Sequence, residues 1–233
     1  MNNNLTLQQQ ITQVQATFIS KVYGWMSCAL VVTGIVAIWA ATTPAVLEFI
    51  FPASGSMMTF YLLIAAEFGA VIYLTARIDK MSAETAGTVF LLYSVLNGLT
   101  LSVVFLMYTS SSIASTFLVT AVTFGVMSVY GYTTKRDLTS FGNLVFMALI
   151  GLVIASVVNI FMQSEMMYWI ITYAGVLIFV GLTAYDTQKI KRMAAADDGV
   201  EVYQKKAIYG ALTLYLDFVN LFLYLLRLLG DRK

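Results

Sequence analysis

Seven long apolar stretches constrain the fold of this chain more than any other feature of its sequence. Each is close to the ~20 residues that a helix needs to cross the hydrocarbon core of a bilayer. They predict seven spans, at Val22–Ala41, Met57–Ala76, Ala86–Tyr108, Ile113–Tyr132, Asn143–Met162, Tyr168–Tyr185 and Ala207–Leu228. Only 11% of the residues are charged, against about a quarter in soluble domains, which excludes a soluble globule. Because the alternating polar residues of an outer-membrane barrel are absent, we predict an all-α integral membrane protein.

Basic residues alternate between the connections in a way that predicts the orientation. The loops after the second, fourth and sixth spans contain Lys and Arg, the loops after the first, third and fifth contain none, and Lys21 precedes the first span. Because basic loops remain in the cytoplasm, the pattern predicts a cytoplasmic N-terminus. We divide the chain into a polar cytoplasmic tail, residues 1–20, and a single seven-helix transmembrane domain, residues 21–233.

The last span leaves two arrangements open. Seven crossings place Arg227, Arg232 and Lys233 outside, against the distribution of the other basic residues. Either the last helix crosses, or it enters the membrane and returns, which requires its irregular backbone to be shielded by protein. The uninterrupted length of Ala207–Leu228 favours crossing.

The remaining composition limits which partners and which kinds of site the chain can have. A net charge of +1 provides no basic field for nucleic acid. The chain has no His and one Cys, Cys28, so the usual zinc and haem sites lose their commonest ligand. We expect no tightly bound cofactor, and any proton chemistry must involve carboxylates.

Two acidic residues, Glu67 and Asp217, lie within the predicted spans, and a third, Asp186, directly follows the sixth. At the centre of a span, a charge costs about 2.5 to 3.5 kcal/mol. Asp217 lies at the middle of the last span, and Asn220 follows three residues later on the same helical face. Hydrogen bonding between helices is the alternative role for both. Glu67, near the middle of the second span, is a candidate for lining an outer half of an ion pathway, or else bonds to a neighbouring helix.

Asp186 ends the sixth span near the cytoplasmic boundary, where it can instead be half-solvated or paired with Lys189 or Lys191. Consecutive antiparallel helices are usually neighbours, so Asp186 and Asp217 can meet. Two close carboxylates in a low dielectric cannot easily both ionise and should share a proton, forming a pH-sensitive latch. Ca²⁺ prefers six to eight oxygen ligands, so two carboxylates predict weak, passing contact. Arg77, at the end of the second span, is the candidate that holds the closed state by a charge-assisted bond.

Three segments carry a family resemblance: GYTTKRDL at Gly131–Leu138, GLTAYDTQKIK at Gly181–Lys191 and LTLYLDFVNLFLYLLRLLG at Leu212–Gly230. They resemble the bacterial branch of the Bax-inhibitor-motif membrane proteins, over nearly the whole chain from Lys21 onward. The resemblance implies a central last helix wrapped by two layers of three helices, in a bacterial inner membrane. It also implies a pH-sensitive calcium leak controlled by paired aspartates, which match Asp186 and Asp217, with Arg77 as the latching arginine.

Two other functions remain open. Intramembrane aspartyl proteases also carry a Tyr-Asp pair on a sixth helix, as in Tyr185-Asp186, but their second aspartate lies in Gly-x-Gly-Asp, whereas Leu214–Asp217 reads Leu-Tyr-Leu-Asp. Alternatively, the chain regulates another membrane protein, such as a quality-control protease, without conducting ions. The polar tail is then the candidate handle for that partner.

Overall fold

The computed structural model describes residues 7–53, 55–194 and 199–233, which form eight α-helices. Their bounds are α1 Leu7–Thr42, α2 Pro44–Ile50, α3 Met58–Arg77, α4 Ala83–Met107, α5 Ser110–Thr133, α6 Thr139–Met162, α7 Glu165–Met193 and α8 Val200–Leu229. Seven of them are long and apolar enough to cross a membrane, and the exception is the short α2. The predicted all-α membrane fold with seven spans is therefore confirmed.

The first helix begins earlier than the sequence pattern predicts. α1 starts at Leu7 and runs without interruption for 36 residues. That length is about 54 Å at 1.5 Å per residue, well beyond the ~30 Å hydrocarbon core. Residues 7–20, assigned from their polarity to a tail, are thus a helical extension of the first span, and the rest of the predicted tail, residues 1–6, lies outside the described residues.

Polar side chains at the turns mark where several helices begin. The Thr109 hydroxyl accepts a hydrogen bond from Ser112 N at 3.3 Å at the start of α5, and Ser82 accepts from Thr85 N at 3.1 Å at the start of α4. Ser164 accepts from Met167 N at 3.3 Å at the start of α7. Such bonds satisfy amide groups that have no partner within the first turn of a helix.

The chain forms two compact units that divide within α8. The first unit comprises the described residues of 1–107 and 193–212 together with Lys233, and the second comprises residues 108–192 and 213–232. In the first unit, α1 packs on α4, where the Thr33 hydroxyl donates to Ser94 O at 3.0 Å. At the same contact, a Cβ at Gly98 would lie 2.8 Å from Thr33 O, so the close approach of these helices requires glycine.

The second unit contains α5, α6, α7 and the C-terminal part of α8. A Cβ at Gly131 of α5 would overlap the carbonyl of Ala184 on α7, and one at Gly142 of α6 would overlap the ring of Tyr185. The two glycines therefore bring α5 and α6 against the same turn of α7.

The last helix is the most buried of the spans. Of its most apolar 18-residue stretch, 56% is buried in the protein, compared with 6% for α3. Tyr215, Leu214 and Leu221 of α8 are fully buried.

The contacts at the two ends of α8 support the arrangement in which it crosses. Near its start, Lys205 Nζ donates to Asp79 O at 3.1 Å in the α3–α4 connection. Beyond its end, Asp231 O accepts from Thr109 N at 3.1 Å in the α4–α5 connection. Because α4 runs from one of these connections to the other, α8 ends on the opposite side of the membrane from its start. In the described part of the chain, these contacts favour a crossing over a last helix that returns to the side it entered from.

Candidate functional site

Two acidic side chains that the sequence singles out meet inside the second unit. Asp186 lies on α7 and Asp217 on α8, and their carboxyl groups are hydrogen-bonded to each other. Their exposed fractions are 8% and 4%. A hydrogen bond between two carboxyl groups requires a proton on one of them, which acts as the donor.

An aromatic cluster lies beside Asp217 in the sequence of α8. Phe218, the next residue on α8, packs edge-on against Phe117 and Phe124 of α5, with ring centroids 5.4 Å apart in both cases. The second carboxyl oxygen of Asp217, Oδ2, is buried and has no hydrogen-bond partner among the described residues. The low dielectric of this environment strengthens both the shared bond and any repulsion between two negative charges.

The positive charge of Lys189, one turn after Asp186 on α7, acts on Asp186. Its Nζ lies 5.9 Å from the centroid of the Tyr185 ring. Lys191, the other predicted partner, donates to Tyr132 O at 2.8 Å and lies over the Tyr132 ring. Of the two lysines, Lys189 is therefore the one whose charge acts on Asp186.

Asn220 lies on the same helix as Asp217, whereas Arg77 lies in the other unit. Asn220 is half-buried on α8, and its amide donates to Leu216 O of the same helix at 2.8 Å. Arg77 is the last residue of α3, lies in the first unit and is exposed. A latch between Arg77 and the carboxyl pair stays a prediction.

Glu67 lies on α3 in a separate polar cluster of the first unit. Its carboxylate accepts from the Thr100 hydroxyl at 2.6 Å and from Asn97 Nδ2 at 3.1 Å, both on α4. Asn97 and Thr100 are buried, whereas Glu67 is half-buried. These bonds join α3 to α4, which is the neighbouring-helix alternative that the sequence left open.

The sequence also matches a known family over almost its full length. Residues 15–233 fit the family described as "Inhibitor of apoptosis-promoting Bax1". The chain belongs to the Bax inhibitor family. Inner membrane protein YbhL of Escherichia coli (strain K12) is 53% identical over 219 residues, which cover 93% of this chain and 92% of YbhL. The family resemblance predicted from the three segments is confirmed.

Other bacterial relatives extend the match. An uncharacterized protein of Borreliella burgdorferi is 44% identical over 231 residues, covering 99% of this chain and 98% of that protein. An uncharacterized protein of Rickettsia prowazekii is 43% identical over 217 residues, covering 93% of this chain and 90% of that protein. The match of this Bax inhibitor family member to these three relatives thus covers at least 90% of each of them.

Sequence reasoning missed three polar residues that the structure places in key contacts. Asn97 and Thr100, the partners of Glu67, are spaced three residues apart in an apolar span, and that spacing on one helical face was the available signal. Gln188 lies two residues after Asp186 and binds the α5–α6 connection through both ends of its amide. The only sequence feature that singled out Gln188 was its place within Gly181–Lys191, one of the segments that resemble the family.

The pair offers few ligands to a metal ion. In the part of the chain that the structure describes, no group of three or more Asp, Glu, Cys and His side chains is placed to hold one. Asp186 and Asp217 supply at most four carboxyl oxygens, fewer than the six to eight that Ca²⁺ takes.

Proposed function

We propose that this Bax inhibitor family protein is a pH-sensitive calcium leak channel gated by the Asp186–Asp217 pair. The observation that carries the proposal is the hydrogen bond between two buried carboxyl groups on consecutive membrane helices. A membrane protein that needed only to join these helices could use two amides, which do not titrate. A carboxyl pair makes the contact between α7 and α8 depend on a proton.

The shared proton holds α7 against α8 in the shut state. When the proton leaves, two negative charges face each other, with a repulsion on the order of 4 kcal/mol for charges 4 Å apart at an effective dielectric constant of 20. The repulsion is relieved when the helices separate or when a cation enters between them. Flux is therefore expected to rise as the pH rises.

Calcium suits this site as a permeating ion rather than as a resident one. Carboxyl oxygens are hard ligands that attract Ca²⁺, but two side chains are too few to retain it. Glu67 and Asn220 are the proposed further contacts along the pathway, and Arg77 is the proposed latch of the shut state. Arg77→Gln is then expected to raise the flux at low pH.

The name of YbhL and the distribution of Lys and Arg support the proposed location. YbhL is called an inner membrane protein, and we place this relative in the bacterial inner membrane as well. The basic connections of this chain support a cytoplasmic N-terminus.

Calcium flux into liposomes that contain the purified protein, measured between pH 6 and pH 8, tests the proposal. Wild-type flux should rise with pH, whereas Asp186→Asn and Asp217→Asn should each flatten the profile. Asp79→Asn is the matched control, because Asp79 is exposed in the α3–α4 connection, and its profile should match the wild type. Unchanged profiles in both pair variants would contradict the gate.

The two other candidate functions predict different results. A non-conducting regulator shows no flux at any pH, and it loses its effect on the partner when the N-terminal residues 1–20 are deleted. Aspartyl proteases also use two carboxyl groups that share a proton, but the Gly-x-Gly-Asp motif is absent around Asp217. Cleavage of a membrane substrate that Asp217→Ala abolishes would favour the protease.

A further inference from the structure

The connection between α5 and α6, residues 134–138, is bound to the C-terminal end of α7, which carries Asp186. Gln188, only 6% exposed, uses both ends of its amide there. Its Oε1 accepts from Leu138 N at 2.9 Å, and its Nε2 donates to Arg136 O at 2.8 Å. A buried side chain of α7 thus forms hydrogen bonds with two backbone groups of the loop. Such partners satisfy peptide groups that would otherwise be left without one.

Two further contacts continue this attachment along the next turn of α7. Lys191 Nζ donates to Tyr132 O at 2.8 Å, near the end of α5. Arg192 Nη1 forms an ion pair with Asp137 Oδ1 at 3.1 Å. Asp137 in turn accepts from Thr139 N and from the Thr139 hydroxyl, which fix its carboxylate at the start of α6.

One turn before Gln188, α7 packs tightly against α5 and α6. Gly131 lets α5 touch the backbone of Ala184, and Gly142 lets α6 touch the ring of Tyr185. From Ala184 to Arg192, every turn of α7 is therefore in contact with α5, α6 or the loop between them. This part of α7 cannot move away from that loop without breaking the hydrogen bonds of Gln188.

Asp186 and Gln188 point to different neighbours. Residues two positions apart on a helix do not share a face, and here Asp186 contacts α8 while Gln188 contacts the α5–α6 loop. We propose that Gln188 is a positioning residue of the gate, whose two hydrogen bonds to the α5–α6 loop restrain α7 against leaving its shut position. The inference rests on the proposed function, because it concerns the movement that opens the leak.

The size of the effect follows from the number of bonds. A hydrogen bond in the lower part of the usual range of net strength changes an equilibrium by a factor of about three, since tenfold corresponds to about 1.4 kcal/mol. Breaking two of them opposes opening by a factor of about ten or more. A variant that lacks both bonds should therefore leak about tenfold more in the shut state.

Gln188→Met tests this restraint, because methionine is unbranched, similar in size and forms no strong hydrogen bond. Calcium flux at pH 6 should rise about tenfold over the wild type. Hydrogen exchange of the peptide 134–141 should accelerate, because Leu138 N loses its acceptor. Arg192→Gln removes only an exposed contact and should raise the flux two- to threefold. This variant tests the restraint even if Gln188→Met folds poorly.

Asn159→Ala is the matched control. Asn159 also supports a connection through its amide, accepting from Ser164 N at 3.0 Å between α6 and α7. It has no part in the attachment of the α5–α6 loop, so its loss should leave both the flux at pH 6 and the exchange of residues 134–141 unchanged.

The failures of the two proposals are distinguishable. Wild-type protein without pH-dependent flux contradicts the proposed function. Normal wild-type flux that neither Gln188→Met nor Arg192→Gln alters contradicts the restraint alone. Unchanged exchange of residues 134–141 in Gln188→Met also overturns it, as does an equal rise in flux in Asn159→Ala.

Discussion

Asp186 and Asp217 are hydrogen-bonded to each other through their carboxyl groups, while Oδ2 of Asp217 has no partner among the described residues. A hydrogen bond between two carboxyl groups forms only when one of them carries a proton. An amide at either position removes that condition, because its N–H donates at every pH.

Asp217→Asn is accordingly expected to stabilise the protein at high pH. The Asn amide donates to the Asp186 carboxylate without a shared proton, and a hydrogen bond to a charged group contributes about 2 kcal/mol. Thermal unfolding in detergent should show the variant gaining on the wild type from pH 6 to pH 8. A difference in Tm that stays constant over this range would contradict the shared proton, and Asp79→Asn should show no such trend.

The meeting of these two aspartates could be anticipated from the sequence. Each interrupts an apolar stretch where a charge is costly, and the stretches are consecutive, so their helices run antiparallel and are usually neighbours. No such argument was available for Glu67. Which side chains of α4 face it depends on the rotation of two helices, and apolar residues all around a membrane span leave that rotation undetermined.

The helical conformation of the polar residues 7–20 could not be predicted for a related reason. Polarity indicates that residues 7–20 lie outside the hydrocarbon, but it does not exclude a helix continuing into water. The Gln and Thr residues there are compatible with a helix, and α1 extends through them. The role of Gln188 was invisible because its partners are backbone atoms of a loop, which carry no sequence signature.

Gly131→Ala should disrupt the packing of α5 on α7. The new methyl group would overlap the backbone carbonyl of Ala184, which cannot rotate away, and overpacking costs about 1 to 3 kcal/mol. Gly125→Ala is the matched control on the same helix, since nothing lies within 4 Å of its added Cβ. That variant should be neutral or stabilised by up to about 1 kcal/mol, because alanine favours helix. Equal unfolding temperatures for the two variants would refute the close contact.

Glu67→Leu should weaken the attachment of α3. This helix buries little of its surface, and Glu67 joins it to α4 by accepting two hydrogen bonds, from Thr100 and Asn97. The expected loss of unfolding free energy is about 1 to 3 kcal/mol. Glu67→Gln retains one acceptor oxygen and should lose less than half as much. Glu48→Gln, on the exposed face of α2, is the control. A loss of unfolding free energy as large there as in Glu67→Leu would contradict the role of Glu67 in attaching α3 to α4.

Asp137 should act as a permanent charge rather than as a pH sensor. Hydrogen bonds from the Thr139 hydroxyl and amide, followed by the one from Arg192, lower the pKa of Asp137 to about 2. Because this value lies below the ordinary 3.8, the stabilisation is complete above the ordinary value and is lost as the pH falls toward about 2. Asp137→Asn should thus lower Tm by a constant amount from pH 5 to pH 8, and the difference should shrink below pH 4. A difference that varies between pH 6 and pH 8 would instead make Asp137 part of the pH response.

The C-terminus should be reached from the same side of the membrane as the α4–α5 connection, because Asp231 O accepts from Thr109 N. In a Cys28→Ser background, single cysteines at Ser110, Lys135 and Lys233 occupy exposed positions. A membrane-impermeant thiol reagent added to intact cells should label the cysteines at 110 and 233, and should label the one at 135 only after permeabilisation. If the cysteine at 233 behaves like the one at 135, α8 does not cross. If the labelling of all three cysteines is reversed, α8 still crosses, but the predicted cytoplasmic N-terminus is wrong. The same contacts then face the opposite compartments.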